Sequence, residues 1–313
     1  MTRTLRDWVV LFLKGLTMGA ADAVPGVSGG TVAFITGIYE ELLNSIRAIT
    51  PGALLTLVRQ GPGAFWQQIN GSFLLVLLSG ILLSLVSFAR LAVYLLEHHP
   101  ALLWAFFFGL ILASSVWMIR QIEGWNPRLL LAMLVGVMVA FKLTLITPAQ
   151  AEITSLTVFL AGAIAICAMI LPGISGSFIL LLLGMYAPIM GAIKGLELAV
   201  LGLFVSGCAI GLLSFSHLLS WMFRHYRQVT LALLTGFMIG SLNRVWPWKY
   251  TSSYRIDRHG EPVPLQQDNV LPSNYEALTG QDALLWAAVG LMLLGAVLVY
   301  ILEAKTPSAG DKR

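Results

Sequence analysis

Hydrophobic residues in this chain fall into ten long runs, separated by short polar, glycine- or proline-containing stretches. In the first half the runs read 8–22, 27–44, 72–96, 101–120 and 128–147. In the second they read 154–171, 174–193, 198–222, 229–246 and 281–303. Apolar residues occupy every face of most runs, so periodicity is weak and the helix prediction rests on length and composition. Phe73–Leu96 and Leu284–Leu302 approach or exceed the ~18–20 residues that cross hydrocarbon. The pattern predicts an all-α polytopic membrane protein.

Composition sharpens this. Of the 313 residues, 58% are hydrophobic and 11% charged. A soluble domain carries roughly 25% charged residues, so a soluble fold would lack polar cover. The net charge of +4 is therefore a topology signal, not a nucleic-acid footprint. Cys167 and Cys208 lie in apolar runs and offer neither a disulfide framework nor metal spacing. The His98-His99 pair has no partners at ligand spacing, so no metal or cofactor is expected. The N-terminal stretch has a basic, apolar, A-x-A-like character that imitates a secretion signal. Lys14 interrupts its apolar run and it leads straight into a repeated motif, so retention is the expectation.

The runs carry their own breakers. "ADAVPGVSGGTVAFITGIYE" from Ala21 is echoed by "MILPGISGSFILLLLGMYA" from Met169. Pro25, Gly26, Ser28, Gly29, Gly37 and Tyr39 match Pro172, Gly173, Ser175, Gly176, Gly184 and Tyr186 at a constant offset of 147. "SGILLSLVSFARL" from Ser79 matches "SGCAIGLLSFSHL" from Ser206 at 127, as Gly109 does Gly236. "VGVM" at Val135 resembles "VGLM" at Val289. A duplicated unit follows: residues 1–150 with a hairpin over 8–44 and three helices, and 151–313 with a hairpin over 154–193 and three more. A polar stretch over 249–280 is placed outside the membrane. Each half crosses three or five times, an odd number either way, so the halves are expected to be inverted. With the N-terminus inside, eleven basic residues fall on the inner side against four outside, as the positive-inside bias requires. Inverted repeats with broken helices meeting at midplane are a secondary-transporter architecture.

A proline removes a backbone donor and the following glycine loosens the turn. Such a break persists in a membrane only where protein or a wet cavity surrounds it. Each Pro-Gly (Pro25-Gly26, Pro172-Gly173) is therefore read as the tip of a re-entrant hairpin. Its free amides and positive helix end suit an anion, and Ser28 and Ser175 add a hydroxyl as cap or ligand. Tight packing around small residues is the competing explanation; two copies in inverted halves favour a site. Lys14, Asp22, Arg90, Lys142 and Arg244 are ionisable residues inside apolar runs, a functional signal. Arg90, Lys142 and Arg244 form an expected basic ring toward the outside, with Arg suited to phosphate; for Lys142, snorkelling is an equal alternative. Asp22 is expected either to pair with Lys14 or an arginine, or to take up a proton in coupling. Trp125, Trp246 and Trp248 read as interfacial anchors.

The doubled motif, "GAADAVPGVSGGTVAFITGIYE" from Gly19 and "LPGISGSFILLLLGMY" from Leu171, resembles the bacterial polyprenyl-phosphate transporter family over nearly the whole chain. That resemblance implies re-entrant hairpins in two inverted halves and return of undecaprenyl phosphate from the outer to the inner leaflet of the bacterial cytoplasmic membrane. It implies head-group binding at Ser28, Gly29, Gly30, Thr31, Ser175, Gly176 and Ser177, with Asp22, Pro25, Gly26, Pro172 and Gly173 in the motif. Met169 stands where the second copy would carry the equivalent of Asp22. Arg90 and Arg244 are further expected head-group ligands, since a desolvated phosphate needs several converging donors. Bilayer lipids are the other expected partners, and the drive, a proton or the membrane potential, is left open. The alternative is a secondary transporter of a small soluble anion. A phosphatase would need a nucleophile with an orienting base, and no such constellation is present, so an enzyme is not expected.

Overall fold

The computed structural model describes residues 3–22, 28–146, 152–256 and 262–304. Pro25 and Gly26 lie outside them, as does the side chain of Arg90. The first half contains α1 (Leu5–Asp22), α2 (Gly29–Ile35), α3 (Tyr39–Arg47), α4 (Pro51–Gln60), α5 (Pro62–Gln68), α6 (Gly71–His98), α7 (Pro100–Gln121) and α8 (Pro127–Leu145). The second contains α9 (Ser155–Ile170), α10 (Gly176–Leu182), α11 (Tyr186–Lys194), α12 (Leu198–His225) and α13 (Arg227–Ser241). It continues through β1 (Lys249–Ile256), β2 (Pro262–Asn269), α14 (Pro272–Thr279) and α15 (Leu285–Ala304).

Local chemistry sets the helix starts. Asn126 accepts from the Arg128 and Leu129 amides ahead of Pro127, and Thr154 with Thr157 forms a capping box on α9, each satisfying otherwise orphaned donors. The runs 27–44 and 174–193 were each expected to continue as one segment. Both break instead, into α2 plus α3 and α10 plus α11, because Gly37 (φ 72°) and Gly184 (φ 69°) adopt the left-handed conformation that costs a side chain-bearing residue most. The bend between α10 and α11 is 112°. The run 229–246 ends early: α13 stops at Ser241 and a turn follows, with the Arg244 amide on the Ser241 carbonyl. The 45–71 region holds α4 and α5, and the 249–280 stretch an antiparallel β1–β2 pair and α14. The Trp246 and Trp248 indole N–H groups donate to the carbonyls of Val270 and Ala283, and pin the 249–280 stretch to the bundle.

Three of the described helices, α7, α8 and α12, are long and apolar enough to cross a membrane, and the bent pairs α5–α6 and α10–α11 qualify jointly. This is a mostly helical, multi-pass membrane protein. α7 runs through the core, with Leu103, Trp104, Phe107, Leu110, Ile111 and Met118 buried. α8 and α15 turn Leu130, Leu131, Met138, Leu293, Leu294 and Val297 outward, where only lipid is a suitable solvent for so much apolar surface.

Close helix contacts repeat between the halves. α1 packs on α6, and α9 on α12. A Cβ on Gly15 would strike the Leu77 carbonyl and one on Gly80 the Phe12 carbonyl. In the second half Gly162 meets the Phe204 carbonyl and Gly207 that of Phe159. Gly15 and Gly162 are 147 apart, and Gly80 and Gly207 127 apart. The last two helices of each half instead cross over: α7 packs on α15 and α8 on α13. There Gly109 abuts Met292 while Gly236 abuts Met133, and Gly295 abuts Phe106 while Gly136 abuts Leu233. These contacts relate α8 to α15 at an offset of 159, which corrects the pairing of "VGVM" with "VGLM". The glycine required at the crossing is Gly295; a Cβ on Gly290 would meet nothing.

Candidate functional site

The two breaks meet each other. Ser28, the N-cap of α2, donates its hydroxyl to the Met169 carbonyl (3.0 Å) and accepts from the Gly30 amide (3.1 Å). A Cβ on Gly30 would lie 2.6 Å from the Ile170 carbonyl oxygen, so only glycine lets α2 start against the end of α9. Thr31 Oγ1 accepts from the Gly173 amide at 2.8 Å. Gly173 itself (φ 86°) is pressed against Phe237 and Ser241 of α13.

The tips differ in how their helix starts are satisfied. At the first, Asp22 Oδ1 accepts from the Gly29 amide at 2.7 Å and Ser28 caps Gly30. The chain's own carboxylate thus occupies the position where an anion would sit, and Ser28, Gly29, Gly30 and Thr31 are all engaged internally. At the second tip Met169 replaces the acid, and its side chain borders Gly176. Ser175 makes no capping bond to α10; its hydroxyl pairs with that of Ser177 at 2.9 Å. Among the described residues no acceptor reaches the Gly176, Ser177 or Phe178 amides.

A cation stands beside that open start. The Arg244 guanidinium lies over the Phe178 ring, 4.6 Å from its centroid, and its buried Nε has no hydrogen-bond partner. Leaving a charged donor buried and unpaired is costly, so the group is poised for an acceptor. Lys249, the first residue of β1, folds back to donate its ammonium to the Arg244 carbonyl. It also packs 4.1 Å from the Trp104 ring centroid, a favourable place for a cation. Burial, and then the neighbouring Arg244, push its ammonium well below the ordinary lysine range. The two ion pairs found among the described residues, Arg3–Glu41 and Arg227–Glu40, involve neither cation. Arginine and lysine side chains, hydroxyls and free helix-start amides are the donor types that make charge-assisted hydrogen bonds to phosphates.

Other predicted residues fall elsewhere. Lys14 does not pair with Asp22: its ammonium donates to the Thr36 carbonyl at 2.7 Å, which tethers α1 to the end of α2. Each partner is satisfied separately because Asp22 already faces the Gly29 amide. Pro25, Gly26 and the Arg90 side chain lie outside the described residues. His217, the repeat partner of Arg90, is turned to its own helix, with Nδ1 2.7 Å from the Leu213 carbonyl. Lys249, Trp104 and Phe178 were missed as site residues. The signal available for Lys249 was its place just after Trp246 and Trp248, aromatic residues that fix the start of the 249–280 stretch.

The family described as undecaprenyl phosphate translocase-like matches residues 18–263. The chain is 52% identical over 297 residues to the polyprenyl-phosphate transporter of Vibrio cholerae serotype O1, covering 95% of this chain and 96% of the relative. It is 33% identical over 258 residues to the polyprenyl-phosphate transporter of Staphylococcus aureus, covering 77% of this chain and 86% of the relative. No solved structure matches the chain.

Proposed function

Since the chain belongs to the undecaprenyl phosphate translocase-like family, we propose that it carries undecaprenyl phosphate from the outer to the inner leaflet of the bacterial cytoplasmic membrane, returning the carrier for cell-wall and surface-glycan synthesis. The observation that carries this reading is Arg244: an arginine with a buried, unpaired Nε, set over Phe178 at the uncapped start of α10. The phosphate head group accepts from Arg244, from Ser175 and Ser177, and from the Gly176 and Ser177 amides. Lys249 supplies the second charge. The polyprenyl tail stays in lipid, so only the head needs a polar path. Transport of this kind breaks no covalent bond, and both named relatives are called transporters.

The proposed frame is two inverted repeats, 1–150 and 151–313, with both termini cytoplasmic. The reciprocal crossing of α7 on α15 and α8 on α13 supports it, because a two-fold exchange of halves maps one contact onto the other. In that frame Arg244 and Lys249 lie toward the outer leaflet. Head-group capture there, followed by rocking of one half against the other, moves the phosphate inward. Asp22, closed over the Gly29 amide, is the proposed coupling group at the first tip: a phosphate reaching α2 must displace or neutralise it.

The test is reconstitution. Liposomes containing the purified protein and a fluorescent polyprenyl phosphate should lose outer-leaflet label severalfold faster than protein-free liposomes, and uptake of inorganic phosphate should stay at background. Uptake of inorganic phosphate without lipid movement would instead identify a transporter of a small soluble anion.

A further inference from the structure

Arg227 opens α13, and Arg244 lies just beyond its end at Ser241. The basic site and the start of this helix are thus about 22 Å apart at 1.5 Å per residue. At the far end a recess of about 80 Å³ is lined by Glu40, Leu43, Asn44, Ser220, Phe223 and Arg224. It joins α3, the outgoing arm of the first hairpin, to the end of α12. Ser220 is 3% exposed and its Oγ has no hydrogen-bond partner. The Phe223 ring, in the same wall, stands edge-on to Tyr39 at 5.9 Å, and the Tyr39 hydroxyl is likewise buried without a partner. Buried hydroxyls normally find partners, and the unpaired Ser220 hydroxyl in the wall of the recess marks a place for a polar guest.

The charges at the recess define that guest. Arg224 Nε donates to the Ser220 carbonyl at 3.3 Å, which holds the guanidinium at the rim. Glu40 is engaged by Arg227 at 3.1 Å. Two arginines against one carboxylate leave the site net positive. Liquid water takes ~30 Å³ per molecule, so the recess has room for a small tetrahedral anion.

We infer that this recess is a second phosphate station, at the opposite end of α13 from Arg244, where a phosphate monoester head group accepts from Ser220 and Arg224, beside Asn44 at the wall, and competes with Glu40 for Arg227. The inference rests on the transport reading, in which the two ends of α13 face the two leaflets. It supplies the inward-side counterpart that the capture site requires: a head group leaving Arg244 needs donors before it reaches water. The Glu40–Arg227 pair then acts as the latch that the arriving phosphate opens.

The test uses the full chain in proteoliposomes, with Cys167 and Cys208 changed to serine and Asn44→Cys as the reporter. Labelling by an impermeant maleimide from the recess side should slow at least fivefold with millimolar inorganic phosphate, against chloride at equal ionic strength. Farnesyl phosphate should protect at lower concentration than inorganic phosphate if the guest is the lipid head; equal protection identifies free phosphate and overturns the station. Arg224→Gln should abolish protection and slow translocation at least tenfold while leaving the saturable binding of farnesyl phosphate from the opposite side unchanged. Ser220→Ala, which keeps the charge, should weaken protection about threefold. Labelling that ignores phosphate, or an Arg224→Gln protein that translocates at the unmodified rate, would overturn the inference. Phosphate protection in a protein that moves no polyprenyl phosphate would keep the anion site and overturn the transport reading alone.

Discussion

Thr31 and Gly173, 142 residues apart in the chain, are joined by a hydrogen bond of 2.8 Å from the Gly173 amide to the Thr31 hydroxyl. This contact stitches one helix break to the other. With the Ser28 hydroxyl on the Met169 carbonyl, it makes the two tips a single polar centre inside an apolar bundle. Removing the acceptor without changing the shape is the direct probe. Thr31→Val leaves the Gly173 amide unpaired, which costs about 1–3 kcal/mol for a buried donor. Thermal unfolding in detergent should show a clear loss for Thr31→Val and near-normal stability for Thr31→Ser.

Backbone proximity at the same centre gives a second prediction. A methyl group at Gly30 would sit 2.6 Å from the Ile170 oxygen and 2.8 Å from the Met169 oxygen. Neither can move without shifting the end of α9. Gly30→Ala should destabilise by about 2 kcal/mol or more, as overpacking against rigid atoms does. Gly191→Ala, in α11 with nothing within 4 Å of the added carbon, should be neutral or gain about 0.5–1 kcal/mol from helix propensity. Equal loss at both positions would contradict the tight apposition of α2 and α9.

The lowered ammonium of Lys249 sets a pH dependence for phosphate binding. A bound anion favours the protonated form and raises the group back toward its ordinary range. Binding therefore takes up a proton wherever free Lys249 is neutral. Affinity is full below the depressed value of the free protein, falls as pH rises toward the value of the complex, and levels off above it. Calorimetry of farnesyl phosphate binding in alkaline buffers of different ionisation enthalpy should register this proton uptake, and Lys249→Gln should remove it. Kept above neutrality, the experiment avoids the phosphate's own titration near pH 6.

Much of the frame was legible because it depends on length and composition. Runs of apolar residues placed α6 and α12, and the second Pro-Gly motif placed the break between α9 and α10, with a shared 147 offset between α2 and α10. What escaped depends on three-dimensional contact. Gly37 and Gly184 looked like ordinary glycines within helices until their left-handed backbone showed them to be second bends. Asp22 was visible as an acid in an apolar run, but its capture by the Gly29 amide requires the tip to close. Lys249 read as a loop lysine because the turn after α13, which folds it back onto Arg244 and Trp104, has no periodic signature. The register of α15 on α7 followed Gly295 and not the better-matched tetrapeptide at Val289, since helix crossings select small residues by position rather than by similarity.

The most direct measurement concerns Arg244. In cells that depend on this chain for carrier recycling, outer-leaflet undecaprenyl phosphate is quantified for the unmodified protein, Arg244→Lys and Arg244→Ala at matched membrane levels. The account predicts severalfold accumulation with Arg244→Ala and an intermediate value with Arg244→Lys, which keeps the charge but loses the planar pair of donors. An unchanged leaflet distribution in Arg244→Ala, with the protein folded and present, would contradict it.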